Sequence, residues 1–125
     1  MNVVVEEWVH KAEGDFRTAG RELSAEPPNY DAVCYHAQQC IEKLFKAMLI
    51  QQQSIPPRSH DLVVLGQLLA TAMPNWSWPT DELRLLSRAA VAFRYPGETA
   101  DEQEAVAALS VCTRVRTRLL LLLNS

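Results

Sequence analysis

Two short stretches of this chain carry side chains able to handle protons or anions. The first is His60-Asp61. Imidazole is the side chain that titrates near neutral pH in its ordinary state, so His60 is a candidate hydrogen-bonding or acid-base group. The same pair also reads as a helix start, with Asp61 satisfying free backbone N–H groups and His60 assisting the cap. The second stretch is Arg94-Tyr95-Pro96-Gly97. A guanidinium presents a planar fork of donors that suits phosphate, and a tyrosine ring can stack on a base. Read as backbone, these four residues are a helix stop with a cation at the negative end of the dipole. Lys43 and Lys46 add two ammonium groups one turn apart. That spacing also describes a solvated helix face.

Other chemistries find less support. His10, His36 and His60 are widely separated, and no Cys-x-x-Cys occurs. No metal or other cofactor is therefore expected. The glycines Gly14, Gly20, Gly66 and Gly97 never cluster into a phosphate loop. Nothing local suggests a nucleophilic triad, and no catalytic residue is assigned from spacing. Arg84 and Arg88 are spaced i,i+4, as are Arg114 and Arg118. Side by side, those pairs would form a basic patch; singly, each is a solvated face. Trp76 and Trp78 flank Ser77 between two prolines. They are expected to pack over an end of the molecule, whereas an exposed pair would mark a partner surface.

The elements that hold these groups are helices. Breaks fall at Pro27-Pro28, Pro56-Pro57, Pro74, Pro79 and Pro96-Gly97. The spacing between breaks is helical throughout. A first helix over about 4–24 has Val5, Trp8, Ala12, Phe16, Ala19 and Leu23 on one stripe. A second, over about 30–52, has Asn29 as N-cap and Val33, Ala37, Ile41, Leu44 and Met48 on its apolar face. Its polar face holds Gln38, Gln39, Glu42, Lys43 and Lys46, with Glu42 and Lys46 as an i,i+4 ion pair. A third starts after Ser59 and ends near Met73. A fourth starts after Thr80, opens on Asp81 and Glu82, and is stopped by Pro96. A fifth covers about 101–123. The pattern predicts an all-α fold: an antiparallel up-and-down bundle of about five helices around a four-helix core.

Composition agrees with one such domain over 1–125. Of 125 residues, 48% are hydrophobic, enough for a packed core without staples, and the net charge of -3 demands neither nucleic acid nor membrane as a partner. Cys34, Cys40 and Cys112 are odd in number and fall within helical patterns, as expected of buried free thiols in a reducing cytoplasm. The N-terminus lacks the pattern of a secretory signal. The longest apolar run, Leu119 to Leu123, is far below the roughly 20 residues that span a bilayer. A tail apolar on every side must be covered on every side, which predicts a homodimer.

Taken in order, the motifs resemble the HEPN family of helical domains. Trp8-Val9-His10-Lys11-Ala12-Glu13-Gly14-Asp15-Phe16 is similar to its first helix. The run from Tyr30 to Ala47, with Gln38-Gln39, Glu42-Lys43 and Lys46-Ala47, is similar to its second. Ser59-His60-Asp61-Leu62 with Leu65 is similar to the start of its third, and Phe93-Arg94-Tyr95-Pro96 to the close of its fourth. The resemblance covers nearly the whole chain. It implies a bundle that commonly dimerises and a role beside nucleotides or RNA. Many relatives are paired with a small nucleotidyltransferase in a toxin–antitoxin couple. Some are metal-independent ribonucleases using an arginine followed within a few residues by a histidine. Here Arg94 is followed by Tyr95-Pro96-Gly97-Glu98-Thr99-Ala100-Asp101-Glu102, and no histidine occurs after His60. The expected function is thus a binding module for a nucleotide, RNA or nucleotidyltransferase partner. The residues concerned are Arg94, Tyr95, His60, Asp61, Lys43 and Lys46. The rivals are a ribonuclease with an unusual acid-base residue, His60 being the candidate, and a purely structural homodimer.

Overall fold

The computed structural model describes residues 1–125. It contains five helices and no strand: α1 Val3–Ser24, α2 Tyr30–Gln51, α3 Leu62–Ala72, α4 Thr80–Ala92 and α5 Glu102–Leu123. Local chemistry sets most of the boundaries. Asn2, Asn29, Asp61 and Asp101 each cap the following helix by accepting a backbone N–H. Asp101 and Glu104 form a reciprocal capping box at α5.

The middle of the molecule is α2, which touches all four other helices; α1 packs on α2 and α5. One continuous core results, built around Phe45, Ile41, Leu44, Met48, Leu62, Leu69, Leu86 and Leu119. Trp76 is buried edge-on against Phe45, with ring centroids 5.8 Å apart, and Trp78 stacks on Trp76 at 6.0 Å. The indole of Trp78 donates to Glu82 at 2.9 Å. The tryptophan loop therefore closes over the core instead of displaying an exposed aromatic pair.

Three sequence expectations change. First, α4 ends at Ala92, well short of Pro96. Proline disfavours helical backbone in the residue before it, and Gly97 turns the chain at a φ of +99°. Arg94 consequently lies in a connection. Second, the polar face of α2 is not solvated: Gln38, Glu42 and Lys46 are all buried. A helix packed against four others has little free surface, so its polar stripe is covered by neighbours. Third, the leucine tail is not bare all round. Leu119 and Leu123 enter the core, Leu120 and Leu122 are half-covered, and Leu121 points outward at 65% exposure. The basic patch is also reduced, because Arg114 is held in a two-pronged pair with Glu82, both bonds 3.0 Å.

Candidate functional site

Beside α2 runs a cleft of about 300 Å³, walled by α4 and by the residue preceding the α3 cap. Tyr35, Gln38 and Gln39 come from α2, Ser87 and Ala90 from α4, and His60 and Arg94 from the flanking connections. Tyr35, Gln38, Gln39 and Glu42 share one side of α2 through i,i+3 and i,i+4 spacing.

At the base of the cleft lies a hydrogen-bond hub. The Glu42 carboxylate is 6% exposed. Its Oε1 accepts from the Gln38 amide at 3.0 Å and from His60 Nδ1 at 2.9 Å. Its Oε2 accepts from Lys46 Nζ at 3.1 Å. Burial pushes this carboxyl's pKa up, but the hydrogen bonds from Gln38, His60 and Lys46 outweigh it and leave the group below the ordinary carboxylate range. Glu42 is thus ionised near neutral pH. An ionised acceptor obliges Nδ1 of His60 to be the donor, which turns Nε2 away from the hub. The His60 side chain is 77% exposed, so that nitrogen faces solvent. Gln38 also donates to the His60 carbonyl at 3.0 Å, fixing the backbone beneath the ring. Ser87 Oγ accepts from Leu62 N at 3.0 Å, tying α4 to the start of α3.

Arg94 meets His60 across this cleft. Its guanidinium sits over the ring of Tyr35, 5.4 Å from the centroid, and makes no ion pair with any carboxylate. Its N–H groups remain available to an incoming acceptor. The other sequence candidates divide. Tyr95 is 64% exposed and lies outside the cleft lining. Asp61 is engaged as the α3 cap, accepting from Val63 N at 2.9 Å. Lys43 is bound to Asp15, whose other oxygen takes His36 Nδ1 at 2.8 Å. Lys46 is buried, paired with Glu42 and lying over the Trp8 ring at 5.9 Å. Neither lysine is therefore a free cation at the cleft. The aromatic ring against the arginine is Tyr35, not Tyr95. The signal available in the sequence is its position three and four residues before Gln38 and Gln39, on the side of α2 that carries Glu42.

Anionic ligands suit this geometry. Arg94 supplies charge and a donor fork, and His60 and Gln39 supply further polar groups. The carboxylate of Glu42, behind the Gln38 and His60 lining, has both oxygens engaged by donors of the protein.

The comparisons with known proteins point the same way in fold. The model of a family described as HEPN domain matches residues 5–122. The crystal structure of TT1696 from Thermus thermophilus is similar at 21% identity, covering 92% of this chain and 94% of that one, with a TM-score of 0.76. That of ST0689, described as an archaeal HEPN homologue, is similar at 25% identity, covering 92% and 93%, with a TM-score of 0.65. No match is found among curated proteins.

Proposed function

The chain belongs to the HEPN domain family, and on that premise we propose that it is a binding module for a nucleotide or RNA whose phosphate enters the α2–α4 cleft. The observation that carries this reading is the convergence of an unpaired Arg94 and an outward-facing His60 on one cleft, with Tyr35 behind the guanidinium. A nucleotidyltransferase as protein partner in a toxin–antitoxin pair, a homodimeric state and a cytoplasmic setting complete the proposal. They rest on the family resemblance, the exposed Leu121 and the buried free cysteines. Calorimetric titration with nucleoside monophosphates tests the core of it. Binding is expected, and Arg94→Ala should weaken it by about tenfold or more, as for a charge-assisted contact. Silence toward nucleotides, RNA oligomers and a co-encoded nucleotidyltransferase alike overturns it.

A second reading is favoured by the Glu42–His60 contact. An imidazole whose Nδ1 is held by a carboxylate presents Nε2 for proton transfer, which is what a general acid or base requires. In this reading the protein is a metal-independent ribonuclease, with Arg94 holding phosphate and His60 moving the proton. Arg94 cannot take His60's part, since its side chain stays charged. RNA cleavage in chelator, abolished by both His60→Ala and Arg94→Ala, is the expected result. Equal residual cleavage in both variants removes the idea.

A further inference from the structure

Tyr35 and Arg94 line two clefts. The second, of about 390 Å³, opens on their other side, over the start of α2, and contains Asn29, Asp31, His36 and Phe93. The chemistry of its lining differs from that of the first. In the first, both oxygens of the buried Glu42 are engaged by protein donors, Gln38, His60 and Lys46, and Arg94 makes no ion pair, so that cleft offers donors. In the second, Asp31 Oδ1 accepts from Ala100 N at 2.7 Å, but its other oxygen has no partner and the group pairs with no cation. An unpaired carboxylate repels phosphate and attracts hydroxyl or amino donors. The neighbouring His36, held at Nδ1 by Asp15, turns its Nε2 away from that contact, as His60 does. Two rings, Tyr35 and Phe93, give this second cleft apolar walls.

A ligand that uses both spaces must be anionic at one end and rich in hydroxyl donors at the other. We infer that a nucleoside monophosphate unit straddles the Tyr35–Arg94 ridge, its phosphate against Arg94 and His60 and its sugar hydroxyls against Asp31. This rests on the nucleotide reading above and adds to it a second subsite and an orientation. A bare anion uses one cleft; a nucleoside without phosphate uses the other. A free nucleoside 5′-monophosphate and the 3′ end of an RNA strand both present a phosphate on the 5′ oxygen and a free 2′,3′-diol.

The test titrates the full chain with AMP, 2′,3′-dideoxy-AMP and inorganic phosphate. Wild type is compared with Asp31→Asn, which keeps an oxygen for Ala100 N while removing the charge, and with His60→Ala. Thermal unfolding followed by circular dichroism confirms that each variant is folded. Wild type should prefer AMP to the dideoxy compound by about tenfold, the worth of hydroxyls bonded to a charged acceptor. In Asp31→Asn that preference should fall below about threefold. His60→Ala should weaken AMP and phosphate by similar factors. Equal affinity for AMP and dideoxy-AMP in wild type, or a preference untouched by Asp31→Asn, overturns the second subsite while leaving a phosphate-binding cleft intact. Failure of AMP and phosphate to bind overturns the nucleotide reading itself. A ribotrinucleotide with a free 3′ end and its counterpart ending in a 2′,3′-dideoxy residue run in parallel distinguish the source. An Asp31-dependent contrast larger than AMP's supports a strand end; one confined to AMP supports a free nucleotide.

Discussion

Glu42 joins two tasks in one carboxylate. It neutralises Lys46 inside the bundle and sets the tautomer of His60 at the cleft. Glu42→Ala is expected to destabilise the fold by about 3–5 kcal/mol, since it strands a buried ammonium and a buried amide; chemical denaturation measures this. The pH dependence follows from the direction of the pKa shift. A carboxyl held below its unfolded value contributes stability in full above roughly pH 4.3, and loses it as pH falls through the lower folded value. Glu42→Gln should therefore be less stable than wild type near neutrality, and its stability should fall less steeply with acid. Denaturation midpoints between pH 7 and pH 3 check both. His60→Ala removes a mostly exposed ring but also one of the three donors to the buried Glu42 carboxylate, and should cost about 1–2 kcal/mol, less than Glu42→Ala. This hub is half legible in the sequence. The spacing of Glu42 and Lys46 announces their pair, but a helical wheel shows which residues share a face and not whether another helix covers it. For that reason spacing alone assigns Lys46 to solvent. His60 and Arg94 are legible because an imidazole and a guanidinium in short stretches at helix ends can handle protons and anions; Tyr35 is not, since one aromatic on a long helix usually belongs to the core.

At the scale of elements, one close contact sets how α3 sits on α4, and a local cap sets where α5 starts. Gly66 lets α3 approach α4 closely: a Cβ there would lie 2.9 Å from Leu83 Cδ1. Gly66→Leu should cost about 1–3 kcal/mol through overpacking and, by shifting α4, should weaken ligand binding at the cleft. Asp101→Ala removes the side-chain half of the α5 capping box, keeping the backbone N–H of residue 101 to Glu104, and should cost about 1 kcal/mol, read as a lower thermal midpoint with ligand affinity little changed. The helices themselves are readable from spacing and proline positions, with starts and ends within a few residues. The exception is α4. Its apolar stripe continues to Phe93 and hides the fact that the backbone has already left the helix. That early end places Arg94 on a connection, where its reach is not tied to the helical twist.

Over the whole molecule, α2 is the common partner of every helix, so the two clefts share one rigid wall and differ in their second. α1 is locked to α5 from the far side: Arg116 grips Glu13 with bonds of 2.8–3.2 Å while lying over the Phe16 ring at 4.1 Å. No helix is long and apolar enough to cross a membrane. Leu121 is the most exposed leucine of the tail, and self-association through the tail is expected to centre on it. Light scattering should then show Leu121→Glu at a lower mass than wild type, and identical masses would place the contact elsewhere.

The three cysteines are all interior, and burial pushes the Cys34 thiol up to about 11, far from the thiolate that reacts. To an alkylating or maleimide reagent the native protein is therefore close to inert. A cysteine introduced at exposed Glu98, a few residues beyond Arg94, becomes a unique chemical handle. A dye attached there, four residues along the chain from Arg94, is expected to report occupancy of the cleft by a change in emission, with no native thiol first removed.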